Sequence, residues 1–147
     1  MKRIYTTLVL LLLLNLAFSQ TTYYVNDNST SNDAFTSSTG SDINPGTAAL
    51  PFATIQHAAD VATEGSIIYI DAGIYFEQVT LNKGLSLFGV NSGVTIVWKP
   101  AVTNPPPGPF TEQGTIQTAQ NIGDVHIKDM SVTGDDNGVT PIVLQTG

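Results

Sequence analysis

Hydrophobic side chains in this chain follow three rhythms in turn: an unbroken run, a helical stripe and a two-residue alternation. The run is Leu8 to Leu14, extended through Leu16 to Phe18 with Asn15 as its polar interruption. The stripe is Ile55, Ala58, Ala59 and Ala62, at the i, i+3, i+4, i+7 spacing of one helix face. Pro51 leads into that helix and Gly65 ends it. Its stripe is built of small residues, so the helix can lie close on whatever it covers. From Ile67 the period becomes two. Ile67–Ile70, Gln78–Leu81, Leu85–Phe88 and Val94–Val97 read as short strands. Asp71-Ala72-Gly73, Asn82-Lys83-Gly84 and Asn91-Ser92-Gly93 separate them with turn chemistry. The alternation points Val79, Leu81, Leu85 and Leu87 inward and Thr80 and Ser86 outward. Strands this short do not readily build a deep sandwich, but they can build a coil.

The remaining segments fit around this frame. Thr21–Val25 is a further β-prone stretch, and Asn26 to Gly46 is almost wholly Asn, Asp, Ser, Thr and Gly. Such residues bond their own backbone and tolerate tight turns, which predicts an ordered polar loop. Lys99 to Gly114 contains Pro100, Pro105, Pro106, Pro107 and Pro109, none of which can feed a central strand. It reads as an excursion, because the strand pattern resumes at Thr115-Ile116-Gln117. Displaced by 45 residues, Leu85–Gly89 falls on Met130–Gly134, and Ser86, Gly89, Gly93, Val94 and Thr95 recur identically. With a one-residue slip, Val79-Thr80-Leu81 matches Val125-His126-Ile127. Repeated strand-turn-strand units predict a solenoid.

The opening run settles the expected compartment. Met1-Lys2-Arg3 is basic, the apolar run follows, and Ala17-Phe18-Ser19 carries small residues at the −3 and −1 positions of a cut after Ser19. This is the pattern of a secretory signal peptide over residues 1–19. The apolar stretch is shorter than the roughly 18 residues of a spanning helix, so no membrane span is expected after cleavage. The product is expected to be secreted, extracellular or held at the cell surface. The chain has no cysteine, which excludes disulfides, zinc-thiolate sites and a thiol nucleophile. After Ser19 the basic side chains are Lys83, Lys99 and Lys128 against 12 acids, so the charge becomes 3 − 12 = −9. That balance excludes a nucleic-acid footprint.

Several of these pieces occur together in a known group of proteins. Tyr23-Tyr24-Val25, Gly40 to Thr47, Pro51 to Gln56, Gly65 to Ile70 and Gly73 to Val79, in that order, resemble the amino-terminal part of secreted right-handed parallel β-helix proteins of the pectin-lyase-like superfamily. The resemblance covers most of Tyr23 to Gly89 and extends weakly through the repeat to Gly147. It implies an all-β fold with a capping helix over Thr54 to Ala62, closing one end of the coil, and glycine turns at Gly73 and Gly89. Residues 20–147 would then be the cap and first coils, with the solenoid truncated after Gly147. The superfamily includes polysaccharide lyases, glycosidases, epimerases and adhesin-like surface proteins, so the fold does not choose the activity. The expected partner is a polysaccharide. The rival expectation is a non-catalytic cell-surface or adhesin-like β-solenoid.

Candidate chemistry is sparse. A lyase of the resembled kind needs carboxylates to hold Ca²⁺ and a Lys or Arg base, and after Ser19 this chain has no arginine. His126 and Lys128 alternate on the outward side of Val125-His126-Ile127-Lys128, flanked by Asp124 and Asp129. They are the candidate lining of a substrate groove, although a strand with one buried face shows the same alternation. Asp27, Asp33, Asp42 and the Asp135-Asp136-Asn137-Gly138 turn offer oxygen ligands suited to Ca²⁺. No EF-hand spacing is present and Asx-rich turns bond themselves without metal. No catalytic residue, metal site or cofactor is therefore assigned to this segment, and Ca²⁺ is left to a full-length parent. Trp98 and the tyrosines could stack on sugars, Tyr75 being as easily packing, and His57 is expected at a surface or edge. No phosphate loop and no nucleophile elbow occur.

Overall fold

A computed structural model describes residues 20–91, 93–97, 114–133 and 140–143. Residues 1–19, Trp98, Lys99, the proline-rich segment and Asp135–Gly138, on which the expected leader, excursion and Asx-rich turn fall, lie outside the described residues.

Ten strands and one short helix make up the described chain. They are β1 (Thr22–Val25), α1 (Ile55–Val61), β2 (Ile67–Ile70), β3 (Gly73–Tyr75), β4 (Val79–Leu81), β5 (Ser86–Gly89), β6 (Val94–Val97), β7 (Gly114–Thr118), β8 (His126–Lys128), β9 (Ser131–Thr133) and β10 (Thr140–Val143). The fold is all-β. Three sheets form, in the orders β1-β2-β5-β8, β3-β6-β9 and β10-β7-β4, and every pairing is parallel. From β2 onward each strand therefore pairs with the strand three places later.

The register follows from where the apolar side chains go. Ile68 sits beside Leu87 and Leu87 beside Ile127 in the first sheet. Tyr75, Ile96 and Val132 line up in the second, and Val79, Ile116 and Ile142 in the third. A one-residue slip would turn each such row to the other face, so burial holds the register. Val79, Leu81, Leu85 and Leu87 are buried as the alternation predicts, while Thr80 and Ser86 are half-buried. Inward residues of all three sheets join one apolar cluster with Ile55, Ala58, Ala59 and Ala62 of the helical stripe.

Residues matched by the 45-residue displacement are not strand partners. Ser86 pairs with His126, not with Ser131, which lies beside Thr95. Val79 pairs with Ile116 rather than meeting Val125. The recurring identities are strand and turn chemistry, whereas register is set by which residues can share an apolar row.

The helix is held at both ends. Thr54 is its N-cap, with extended backbone, and its hydroxyl accepts from His57 N at 3.2 Å. Glu77 accepts from Ile55 N and Gln56 N at 2.9 and 2.8 Å. Asp42 accepts from Ala53 N, Thr54 N and the Thr54 hydroxyl. These carboxylates satisfy N–H groups that the first turn cannot. At the other end Lys83 Nζ donates to the carbonyls of Asp60 and Ala62 at 3.0 and 2.7 Å, where a cation suits the helix terminus. The buried stripe packs on β1, β2 and β4.

The polar loop is bound to the sheets by buried hubs. The fully buried Asp71 carboxylate accepts from Ala34 N, Phe35 N, Thr36 N and the Thr36 hydroxyl. Buried Asn26 donates to Ser29 O, Ser38 O and the Asp33 carboxylate. Gly73 and Gly89 belong to strands rather than turns. Close approach requires glycine at Gly89, where a Cβ would strike the Asp129 carbonyl; a Cβ on Gly73 would meet the Asp27 carboxylate at 2.5 Å, a side chain that would have to turn away.

Candidate functional site

The outward residues of the first sheet form two lines across its four strands. One line is Thr22, Ile67, Ser86 and His126; the other is Tyr24, Tyr69, Phe88 and Lys128. Alternate side chains of a strand share a face, and parallel pairing in register brings the same face of each strand together. The strands thus convert four separated sequence positions into one continuous surface.

The second line is aromatic. Tyr24 and Tyr69 stack with ring centroids 5.7 Å apart and planes 26° apart. Tyr69 and Phe88 follow at 5.9 Å and 53°. Phe35, brought over from the polar loop, lies 4.8 Å from Tyr69. All four rings are half-buried, so each keeps part of its surface in water. Ring pairs at these separations attract beyond simple area burial.

His126 and Lys128 extend these lines, and both are exposed on β8, while Ile127 between them packs against the core. The outward alternation read from the sequence is therefore present. Lys128 Nζ lies 3.5 Å from the Asp129 carboxylate, with side chains 70% and 52% exposed. A pair so exposed contributes little energy and does not hold the ammonium. The surface combines ring faces and edges, an imidazole and an exposed ammonium, which can meet the C–H faces and oxygens of a sugar.

The other candidate residues have structural employment. Lys83 is committed to the helix end, and Asp42 and Glu77 to its start. Asp27 accepts from Ser29 N within its own turn. Asp33 accepts from Asn26, and burial followed by repulsion from Asp71 and Asp27 raises its carboxyl above the usual value. His57 is half-buried, with its ring 4.7 Å from Phe52 in an edge contact. Tyr75 is buried in the core and donates to the Asp71 carbonyl at 2.9 Å. Burial, reinforced by surrounding carboxylates, pushes its phenol well up. Among the described residues no group of three or more His, Asp or Glu could hold a metal ion, and no helix is long and apolar enough to cross a membrane.

The aromatic line was missed by reading along the sequence, because its members belong to three strands and a loop. A signal exists in retrospect: Tyr69 stands between Ile68 and Ile70, and Phe88 follows Leu87, each an aromatic residue on the outward beat beside a buried aliphatic. No family model, curated protein or solved structure matches the chain.

Proposed function

We propose that this chain is the amino-terminal portion of an exported, right-handed parallel β-helix protein of the pectin-lyase-like kind, and that it binds polysaccharide on the outer face of its first sheet. The β2-β3-β4, β5-β6-β7 and β8-β9-β10 triplets would be three successive coils, with α1 as the cap. The observation that carries the reading is the continuous outward line Tyr24-Tyr69-Phe88-Lys128, which requires strands stacked in register. A linear polymer needs an extended surface of this sort, and aromatic rings with a polar handle suit a ligand that is apolar on one face and polar at its rim. Secretion, supported by the basic-apolar-small pattern of residues 1–19, places such a surface where polysaccharides are met.

A non-catalytic, adhesin-like role for this segment is favoured over catalysis by one set of contacts. Lys83, Asp42, Asp71 and Glu77 all spend their charges on backbone groups, which removes these four as free acids or bases. A parent enzyme would carry its lyase-like or glycosidase-like chemistry elsewhere.

Affinity electrophoresis of Gln20–Gly147 through gels containing polygalacturonate, alginate, xylan or galactomannan tests this. Retardation by at least one polymer is expected. Lys128→Ala should weaken it about tenfold, the loss of one charge-assisted contact. Free migration through every gel, or retardation unchanged by both Lys128→Ala and Phe88→Ala, would refute the surface.

A further inference from the structure

Where the polar loop meets the turns after β2 and β5, the surface dips into an open cavity of about 420 Å³. That volume falls within the roughly 300–1,000 Å³ range of small-ligand sites. Its wall is polar: Asp27, Ser29, Ser31 and Asn32 from the loop face Asn91 from the turn after β5. Its floor is Ala72-Gly73-Ile74. Gly73 lies against the Asp27 carboxylate, since a Cβ there would come within 2.5 Å of Asp27 Oδ2.

The polar groups are partly spent and partly free to act. Asp27 Oδ1 accepts from Ser29 N at 2.7 Å, which leaves Oδ2 toward the cavity floor as an acceptor. Asn91 Oδ1 accepts from Gly93 N at 2.6 Å, which leaves its amide Nδ2 to donate. Ser29 Oγ accepts from Ser31 N, so its hydroxyl hydrogen is available. Beside these groups Ile74 is 55% exposed, and Phe76, on the same outward beat of the chain, is 78% exposed. Mixed donors and acceptors next to apolar surface match a polyhydroxylated ring, which presents hydroxyls at its edge and C–H groups on its face.

The charge selects among such rings. Asp27 is in the wall, and Asp33 and Asp71 stand close enough for their charges to act on one another. No Lys or Arg lines the cavity. With a formal charge of 3 − 12 = −9 after Ser19, the surrounding field opposes an anionic ligand over roughly a Debye length of 8–10 Å.

We propose that this cavity is a saccharide subsite that takes uncharged sugar residues and rejects uronates. The proposal rests on the polysaccharide reading above and narrows it to neutral glycans. The outer-face line and the cavity are separate surfaces, so they can be tested apart.

The test compares retardation of Gln20–Gly147 by galactomannan and xylan with that by polygalacturonate. It is repeated on Ser31→Trp, which fills the cavity from an exposed position, on Asn91→Ala, and on Lys128→Ala. Thermal midpoints verify that each variant is folded. Neutral polymer bound in preference to polygalacturonate, and weakened fivefold or more by both Ser31→Trp and Asn91→Ala, is the expected result. Neutral binding that is lost with Lys128→Ala but indifferent to both cavity variants would overturn the subsite and leave the outer-face reading standing. Preference for polygalacturonate would likewise overturn the subsite alone. Retardation by no polymer would remove both. A rise in thermal midpoint with CaCl₂ alone, abolished by Asn91→Ala, would make the cavity a cation site and overturn the proposal.

Discussion

Replacing Asp71 by Asn tests the claim that one buried carboxylate holds the polar loop on the sheets. Asp71 follows β2 and is fully buried. Its oxygens receive Ala34 N at 2.7 Å, Phe35 N at 3.1 Å, Thr36 N at 2.6 Å and the Thr36 hydroxyl at 2.7 Å. Asn has the same shape but one acceptor oxygen, and its amide group would turn N–H toward N–H. About half of these bonds are lost, at roughly 1.5–3 kcal/mol for a bond to a charged group. Ala34 is exposed and Phe35 and Thr36 are half-buried, so water recovers part of that. The expected cost is about 2–4 kcal/mol by urea unfolding. The loop should also open ahead of the sheets, because locally held segments detach with less than the global free energy. Limited proteolysis should cut between Asn28 and Thr39, and loss of the Phe35–Tyr69 contact, at 4.8 Å, should alter the near-UV circular dichroism. A change below about 0.5 kcal/mol, within the ordinary range of surface substitutions, with unchanged proteolysis, would show that Asp71 does not hold the loop.

Leu87→Ala removes a fully buried side chain between Ile68 and Ile127 and should cost about 2–5 kcal/mol in urea unfolding; Phe76→Ala, at a 78% exposed position, should cost under about 0.5 kcal/mol, and equal costs would contradict the inward–outward assignment. Glu77 is held above its usual carboxyl value of 4.5 by burial, which outweighs the bonds from Ile55 N and Gln56 N. The folded state therefore holds this proton more tightly than the unfolded state, so its contribution to stability falls as pH rises from 4.5 through the folded value. Urea midpoints at about pH 5 and pH 7 should differ less in Glu77→Gln than in the native chain; an unaltered pH dependence would sink this account of Glu77. Mass spectrometry of the exported product should find a mature start at or near Gln20, and a retained Met1 in an exported product would count against residues 1–19 as a leader.

What could be read from the sequence was whatever repeats along the chain. The helix was legible because Ile55, Ala58, Ala59 and Ala62 share one face, β2 and β4 because buried aliphatics alternate within them, and β5 because Leu85 and Leu87 alternate into it. β3 was not, and Gly73 was assigned to a turn. Its three residues put Ile74 outside, 55% exposed, and Tyr75 inside, 3% exposed, which inverts the order that hydrophobicity suggests. Tyr75 can go in because its hydroxyl finds the Asp71 carbonyl. Register was not legible for a related reason: glycines and serines in turns recur whatever their strands pair with, while the partner of Ser86 is decided by Leu87 lying between Ile68 and Ile127. Of the candidate surface, the outward placement of His126 and Lys128 was legible from alternation in one strand. The aromatic line they continue was not, because Tyr24, Tyr69, Phe88 and Phe35 become neighbours only through pairing between strands and through the loop that Asp71 binds.

Strands three places apart stack in register and so build one continuous outer face. The chain has no cysteine, so an introduced pair reports without background. Ser86 and His126 are directly paired on β5 and β8, and paired strands lie about 4.8 Å apart, within the roughly 4.4–6.8 Å that a disulfide spans between Cα atoms. Ser86 and Ser131, which the 45-residue displacement matches in sequence and which would be neighbours if that displacement were one coil, belong to different sheets. Oxidation of the double variants Ser86→Cys/His126→Cys and Ser86→Cys/Ser131→Cys, followed by peptide mass spectrometry, decides between the two arrangements. A disulfide in the first pair and free thiols in the second is the predicted result; a disulfide in the second with free thiols in the first would contradict the stacking on which the proposed surface depends.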